Sequence, residues 1–383
     1  MPSEPAVSVI LPVLDEIAEI DACLASLTAQ DHGGPLEIMV ADGGSTDGTL
    51  ARLEAWALRD ERVRVIDNPR RRQSNGLNLA GVAAAGEVLV RADAHTTYAP
   101  DYVRRSLEAL ARSGAVAAGG RLHPEGRTRS GRAIAAAMRS PLGIGPARFH
   151  HAETPELVDT VYLGAFRRVD FLAHGGFRTL PSGVAEDADF YWRWRRAGRT
   201  VAFDPAIRST YTPRETLRAF VRQNWRYGVG KAEMLWLNGR LPSWRPLAPL
   251  GLVTGLLGAA LLATSGRRPA QRAPLVALLA AWCGVVAAAS ARAATQESGV
   301  GPRTAAAVAA MHLAYGAGLT YGLLRGPAAL GALRTTAPAP LCPGTVAAGP
   351  APLAPDTAAA ATHADATADA LPVPVHPPIR SPR

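Results

Sequence analysis

The chain has 383 residues, enough for two or three domains and a substantial core, so its size excludes nothing. Its formal charge of +9 arises from 41 Lys and Arg against 32 Asp and Glu, with Arg far outnumbering Lys. The arginines are scattered and carry no nucleic-acid recognition motif, so nucleic acid is not expected as a partner; a phosphate-bearing ligand or an anionic membrane face accounts for the excess equally well. Cys23, Cys283 and Cys342 are odd in number and lack metal-ligand spacing, which indicates neither a disulfide framework nor a zinc site and fits a reducing compartment.

The first apolar run, VSVILPV (7–13), has no basic segment before it and enters an acidic stretch. It therefore reads as a strand and not as a signal peptide, with the amino terminus expected on the cytoplasmic side. LEIMVA (36–41), RVRVI (62–66) and EVLVRA (87–92) follow, separated by helical-looking segments. Alternation of this kind predicts βα units and a parallel sheet, whose ligands bind outside the carboxyl ends of the strands. Acidic or amide groups recur at that edge: Asp15 and Glu16, Asp42, Asp67 and Asn68, and Asp93.

Each of these positions has a plain structural reading beside a functional one. Asp42, in ADGGSTDGT (41–49), suits a turn followed by a helix cap; its carboxylate also suits the ring N–H of a uracil-like base. Arg70, Arg71 and Arg72 after the third run suit a solvated loop or phosphate oxygens. Asp93 and His95, two residues apart in RADAH (91–95), suit a turn or a divalent cation set against a diphosphate, and imidazole as second ligand favours Mn2+ modestly over Mg2+. Glu186 and Asp187 precede a segment expected to be helical as far as Gly198; they suit the helix dipole or a general base for an acceptor hydroxyl. Gln223, Arg226 and Tyr227 offer an amide, a cation and an aromatic on one helical turn, fit for an acceptor or a leaving diphosphate.

Beyond residue 245 the chain changes character. Stretches 246–266, 273–291 and 304–324 contain no Asp, Glu, Lys or Arg, and each approaches the ~20 apolar residues a spanning helix needs. About three transmembrane helices are predicted, with a buried helical hairpin as the alternative. Before them, Leu217, Phe220, Val221 and Trp225 share one helical face, which suits the bilayer interface or a core-facing surface helix. From about residue 331 the chain is rich in Ala, Pro and Thr and buries too little apolar surface to fold, so a disordered tail is expected over 331–383. The predicted organisation is a cytoplasmic globular domain over 1–240, a membrane region over 241–330, and that tail.

No phosphate-loop motif, no G-x-G-x-x-G after the first strand and no G-x-S-x-G elbow is present, so ATPase, dinucleotide redox and serine-hydrolase readings lack their motifs. The ordered set SVILPVLDE (8–16), ADGGSTDGT (41–49), NPRRRQSNGLNLA (68–80), RADAH (91–95), GGF (175–177), EDADF (186–190) and QNWRY (223–227) resembles glycosyltransferase family 2. More narrowly it is similar to the membrane-associated branch that includes succinoglycan-biosynthesis enzymes. The resemblance covers about residues 7–230. It implies a GT-A-type mixed sheet flanked by helices, a divalent cation, and inverting transfer from a nucleotide sugar to a lipid-linked or polysaccharide acceptor at the cell membrane.

By matching positions, the resemblance implies Asp187 as catalytic base beside Glu186, and Asp93 with His95 at the metal. It implies nucleotide-sugar contacts from Pro12, Asp15, Glu16, Asp42, Arg72 and Asn78 in the first half, and from Asp93, Gln223 and Arg226 beyond it. Many relatives have a second Asp where this chain has His95. Processive synthases have Q-x-x-R-W where it has Gln223, Arg226 and Tyr227, which favours single addition. A sugar-phosphate nucleotidyltransferase and a non-catalytic nucleotide-binding membrane scaffold are the alternatives.

Overall fold

The computed structural model describes residues 4–145, 148–240, 243–264, 273–334 and 339–341. Four strands and three helices alternate first: β1 (Val7–Val13), α1 (Ile20–Thr28), β2 (Leu36–Asp42), α2 (Thr49–Arg59), β3 (Val63–Asp67), α3 (Gln73–Ala83) and β4 (Val88–Arg91). Each strand returns to the sheet through a helix, so all four pair in parallel, in the order β3-β2-β1-β4. Val13 lies level with Asp42, and Asp42 with Asp67. The expected strands and the expected acidic edge are therefore both present.

The sheet then turns mixed. In chain order follow β5 (Thr96–Tyr98), α4 (Tyr102–Ser113), β6 (Ala117–Pro124), α5 (Arg129–Arg139), α6 (Pro141–Ile144), α7 (Arg148–His151), β7 (Glu156–Val158), β8 (Tyr162–Arg167), α8 (Arg168–Ala173), α9 (Glu186–Arg196) and β9 (Val201–Tyr211). Strand β8 runs antiparallel beside β4, and the full order is β3-β2-β1-β4-β8-β6-β9-β5 with β7 on β9. Side-chain alternation sends Val9, Leu11 and Val13 into one apolar layer with α1 and α4, and Ile10 into the other with α3, α8 and α9. A sheet covered on both faces leaves its strand ends as the place where polar groups meet water.

The carboxyl-terminal helices are α10 (Leu217–Asn238), α11 (Leu247–Thr264), α12 (Ala273–Gln296) and α13 (Gly301–Arg325), followed by a 3-10 segment (Pro327–Arg334). Helices α12 and α13 are long and apolar enough to cross a membrane; α11 is apolar but shorter. Two of the three expected spans thus meet the length requirement. On α10, Phe220 is buried whereas Leu217, Val221 and Trp225 stay partly exposed. Within the expected tail, Leu341 donates its N–H to Leu172 O at 2.9 Å. The rest of that expectation, over 335–338 and 342–383, lies outside the described residues.

Candidate active site

The first two loops at the acidic edge are bonded to each other. Asp15, held in a left-handed conformation (φ 55°), accepts the Thr46 N–H at 2.8 Å and donates its own to Ser45 Oγ at 2.9 Å. Glu16 N–H donates to Thr49 Oγ1, and Asp47 accepts from Ile17 N–H. Asp42 is buried inside this lattice: its Oδ2 accepts from Gly44 and Ser45 N–H at 2.8 and 3.0 Å, and its Oδ1 from Ser45 Oγ at 2.6 Å. Asp42 shapes the turn that abuts Asp15.

Next to it lies a cavity of about 200 Å3, lined among others by Pro12, Glu16, Asn68, Arg71, Arg72, Gln73, Asp93, His95, Gly183, Arg214 and Arg226. Pro12 also packs close to Gly76, leaving little room for a Cβ there. Asp93 Oδ1 accepts from Gln73 Nε2 at 3.2 Å, while its Oδ2 has no partner among the described residues. His95 Nδ1 lies 3.4 Å from Glu16 Oε1. Burial alone would lower the His95 pKa, but Glu16 and Asp93 raise it above the usual histidine value. Arg71, Arg72, Arg214 and Arg226 form no ion pair among the described residues; Arg226 donates only to Ser182 O, at 3.2 Å. A small cavity ringed by uncompensated guanidinium groups attracts a compact polyanion.

Behind Asp93 is a residue without a role in the sequence reading. Arg91 is buried at the end of β4, with Nη2 3.0 Å from Glu186 Oε1 and 3.7 Å from Asp93 Oδ1, and its guanidinium lies 5.2 Å from the Phe177 ring centroid. One cation thus joins the Asp93 edge to the start of α9. A charged side chain closing an otherwise apolar strand was the available signal for it. Burial pushes the Glu186 carboxyl up to about 7 in spite of Arg91, with Asp187 and Asp93 adding negative charge nearby. Among the described residues Asp187 accepts only the Ala188 N–H, at 2.7 Å. Helix α9 is preceded at its N-cap by Ala185, another left-handed residue (φ 66°).

The other expected residues fall into two groups. Gln223 donates to Tyr211 and Tyr227 hydroxyls at 3.3 and 3.0 Å, on the α10 wall that also carries Arg226. Asn78 is bonded in both directions to the Phe177 backbone at 2.8 Å and is not among the residues lining the cavity. Arg214 and Gln73 line the cavity without having been singled out in the sequence. A larger groove of about 460 Å3 between α12 and α13 is lined mainly by Ala, Val, Gly and Trp, with no charged side chain among its lining residues.

The Glycosyl transferase family 2 profile matches residues 8–173, from β1 to α8. The succinoglycan biosynthesis protein ExoA of Rhizobium meliloti is 30% identical over 321 residues, which cover 82% of this chain and 94% of ExoA. The dolichyl N-acetyl-alpha-D-glucosaminyl phosphate 3-beta-D-2,3-diacetamido-2,3-dideoxy-beta-D-glucuronosyltransferase of Methanococcus voltae is 24% identical over 242 residues, 60% of this chain and 74% of that protein. A solved structure, the mannosyltransferase PcManGT from Pyrobaculum calidifontis in complex with GDP-Man and Mn2+, is 22% identical and covers 87% of this chain and 86% of its own, with a TM-score of 0.45.

Proposed function

The chain belongs to glycosyl transferase family 2, and from that premise we propose that it transfers a sugar with inversion from a nucleoside diphosphate sugar, foremost a UDP-sugar, to a hydroxyl of a lipid-linked or polysaccharide acceptor at a membrane. Membership displaces the nucleotidyltransferase and scaffold alternatives. The observation that carries the reading is the cavity in which four unpaired arginines face Asp93, Glu16 and His95, with the free carboxylate of Asp187 reached through Arg91 and Glu186.

In this reading the donor diphosphate lies among Arg71, Arg72, Arg214 and Arg226, with the base against the turn that Asp42 and Asp15 build. Asp187 takes the acceptor proton as the acceptor oxygen attacks the anomeric carbon, and the bond from that carbon to the diphosphate oxygen breaks on the opposite face. The arginines receive the charge that builds on the leaving diphosphate. A divalent cation, Mn2+ or Mg2+, would be held by Asp93 Oδ2 and the second ring nitrogen of His95, both free of partners among the described residues. When bound, it offsets the same charge.

In the same proposal residues 1–240 form the transferase part on the cytoplasmic side and 241–330 the membrane part of a multi-pass protein; the two long apolar helices support the membrane association alone. The test is to incubate membranes containing the protein with UDP-, GDP- and dTDP-sugars and follow nucleoside diphosphate release. Release with one donor class, stimulated by membrane lipid extract, is expected. Release with none of them would sink the reading.

A further inference from the structure

Lys231 is the only lysine among the chain's 41 Lys and Arg residues. It lies on α10 one turn beyond Tyr227 and two beyond Gln223, on the same face of the helix. Here α10 leans on the segment that leads into the paired carboxylates. Ser182 accepts from Arg226 through its carbonyl at 3.2 Å, and donates its N–H to Glu233 at 3.0 Å. Gly230 is so close that a Cβ there would stand 2.8 Å from Val184 Cγ2 and 3.1 Å from Val184 O. Asp187 comes three residues after Val184, near enough for its charge to act on Lys231, as that of Asp159 also does.

Neither carboxylate bonds the ammonium. Asp159 is taken by Arg245 at 3.3 Å, and Asp187 accepts from the Ala188 N–H. Among the described residues the lysine's hydrogen-bond partner is Met234 Sδ, at 3.7 Å, a weak acceptor. Burial, helped by the nearby charge of Arg245, pushes its pKa down against the pull of Asp187, Asp159 and Asp189. The donor cavity has its own four arginines, and Lys231 is not among its lining residues. On the far side, Arg245 and the exposed Trp244 and Leu247 lead into α11, the arrangement of a Trp at a polar-to-apolar boundary.

We propose that Lys231 binds a phosphate group carried by the acceptor, beside the base and on the side where the chain enters its apolar helices. The inference rests on the transferase reading above and adds a subsite to it. A compact ammonium with three rotating donors follows a phosphate whose orientation changes as the acceptor docks; the rigid fork of arginine, used everywhere else in this chain, suits the fixed diphosphate of the donor.

Because Lys231 is unique, reductive methylation of the full chain in detergent micelles with 13C-formaldehyde marks it, besides the amino terminus, and preserves its charge. Farnesyl phosphate is expected to shift the dimethyl-lysine NMR signal, while farnesol, inorganic phosphate and UDP at the same concentration leave it in place. Lys231→Met should weaken farnesyl phosphate binding about tenfold, Lys231→Arg should retain most of it, and UDP affinity should match the parent in both. Equal responses to farnesyl phosphate and farnesol, a shift produced as well by inorganic phosphate or UDP, or unchanged binding in Lys231→Met would each overturn the proposal. The labelled parent decides the matter even if a variant fails to fold. Binding that behaves as expected in a protein releasing nucleoside diphosphate from no donor would refute the transferase reading and leave the subsite standing.

Discussion

A carboxylate that serves as a base must avoid strong partners, and the proposed base Asp187 has none among the described residues while its neighbour Glu186 is locked to Arg91. Asp187→Asn keeps the shape and removes the proton acceptor, so turnover should fall by about 10^2–10^4-fold with donor affinity unchanged, as read by calorimetric titration of UDP beside initial rates. Equal loss of donor binding would make Asp187 a donor contact instead. Glu186 answers to pH. Its folded pKa of about 7 stands above the ordinary glutamate value of 4.5, because burial disfavours its charge. Between those values the folded state binds more protons than the unfolded one, so this group's contribution is full below pH 4.5 and is lost as pH rises toward 7, by up to about 3 kcal/mol. Melting temperatures from pH 5 to 8 should slope downward in the parent and be flatter in Glu186→Gln. The sequence showed Asp93 and the 186–187 pair because acids at strand and helix ends stand out against apolar runs. It did not separate them from Asp189, which is bonded to Arg178, Arg193 and Asn238 inside the fold. Nor did it show Arg214, which joins the cavity only because β9 returns beside β5 and β6.

Elements were legible where burial is two-sided. Strands β1, β2 and β4 have neighbours above and below, which favours continuous apolar runs, while the edge strand β3 alternates and leaves Arg64 exposed; all four ranges agree with the sequence within about a residue. Strand β6 reads AAGGRLHP and shifts register against both neighbours between residues 118 and 121; small residues with a bulge give no period to read. Helix α10 was visible only in its first turns, since Gly228 and Gly230 look like breakers. The structure puts them to use as contact points. A Cβ at Gly228 would run into the Tyr315 carbonyl of α13, and one at Gly318 into the Trp225 carbonyl of α10. The helix that carries Gln223, Arg226 and Tyr227 is thus seated backbone to backbone on an apolar helix. Gly318→Val should cost about 1–3 kcal/mol by overpacking and lower turnover with it. Gly258→Ala, on α11 with nothing within 4 Å of the added Cβ, should be neutral or stabilising by up to about 1 kcal/mol. Thermal unfolding of both variants in one detergent checks the contrast; equal melting temperatures would show that the crossing tolerates separation.

At the scale of the whole molecule, the boundary expected near residue 240 would divide chemistry from apolar helices, yet packing runs straight across it. Leu122, Ile134, Met138 and Phe220 from the sheet side share a cluster with Ala289, Ala307, Val308 and Met311 from α12 and α13. Arg132 pairs with Glu297 at 2.6 Å, and His312 Nε2 donates to the Gly143 carbonyl at 3.0 Å. Helices α5 and α6 therefore depend on helices that the sequence assigns to the membrane. Exposing four such side chains costs about 1.5–3 kcal/mol each, a sum comparable to the 5–15 kcal/mol that typically holds a domain together. A fragment ending at residue 240 should accordingly lack the monodisperse peak expected of the full chain in detergent, and should bind UDP weakly or not at all. Size-exclusion chromatography and UDP titration of the two side by side check this. A monodisperse fragment with parental UDP affinity would mean that the apolar helices only anchor the protein; its failure, alongside a competent full chain, would mean that the spans complete the fold that holds Arg214 and α10 around the donor.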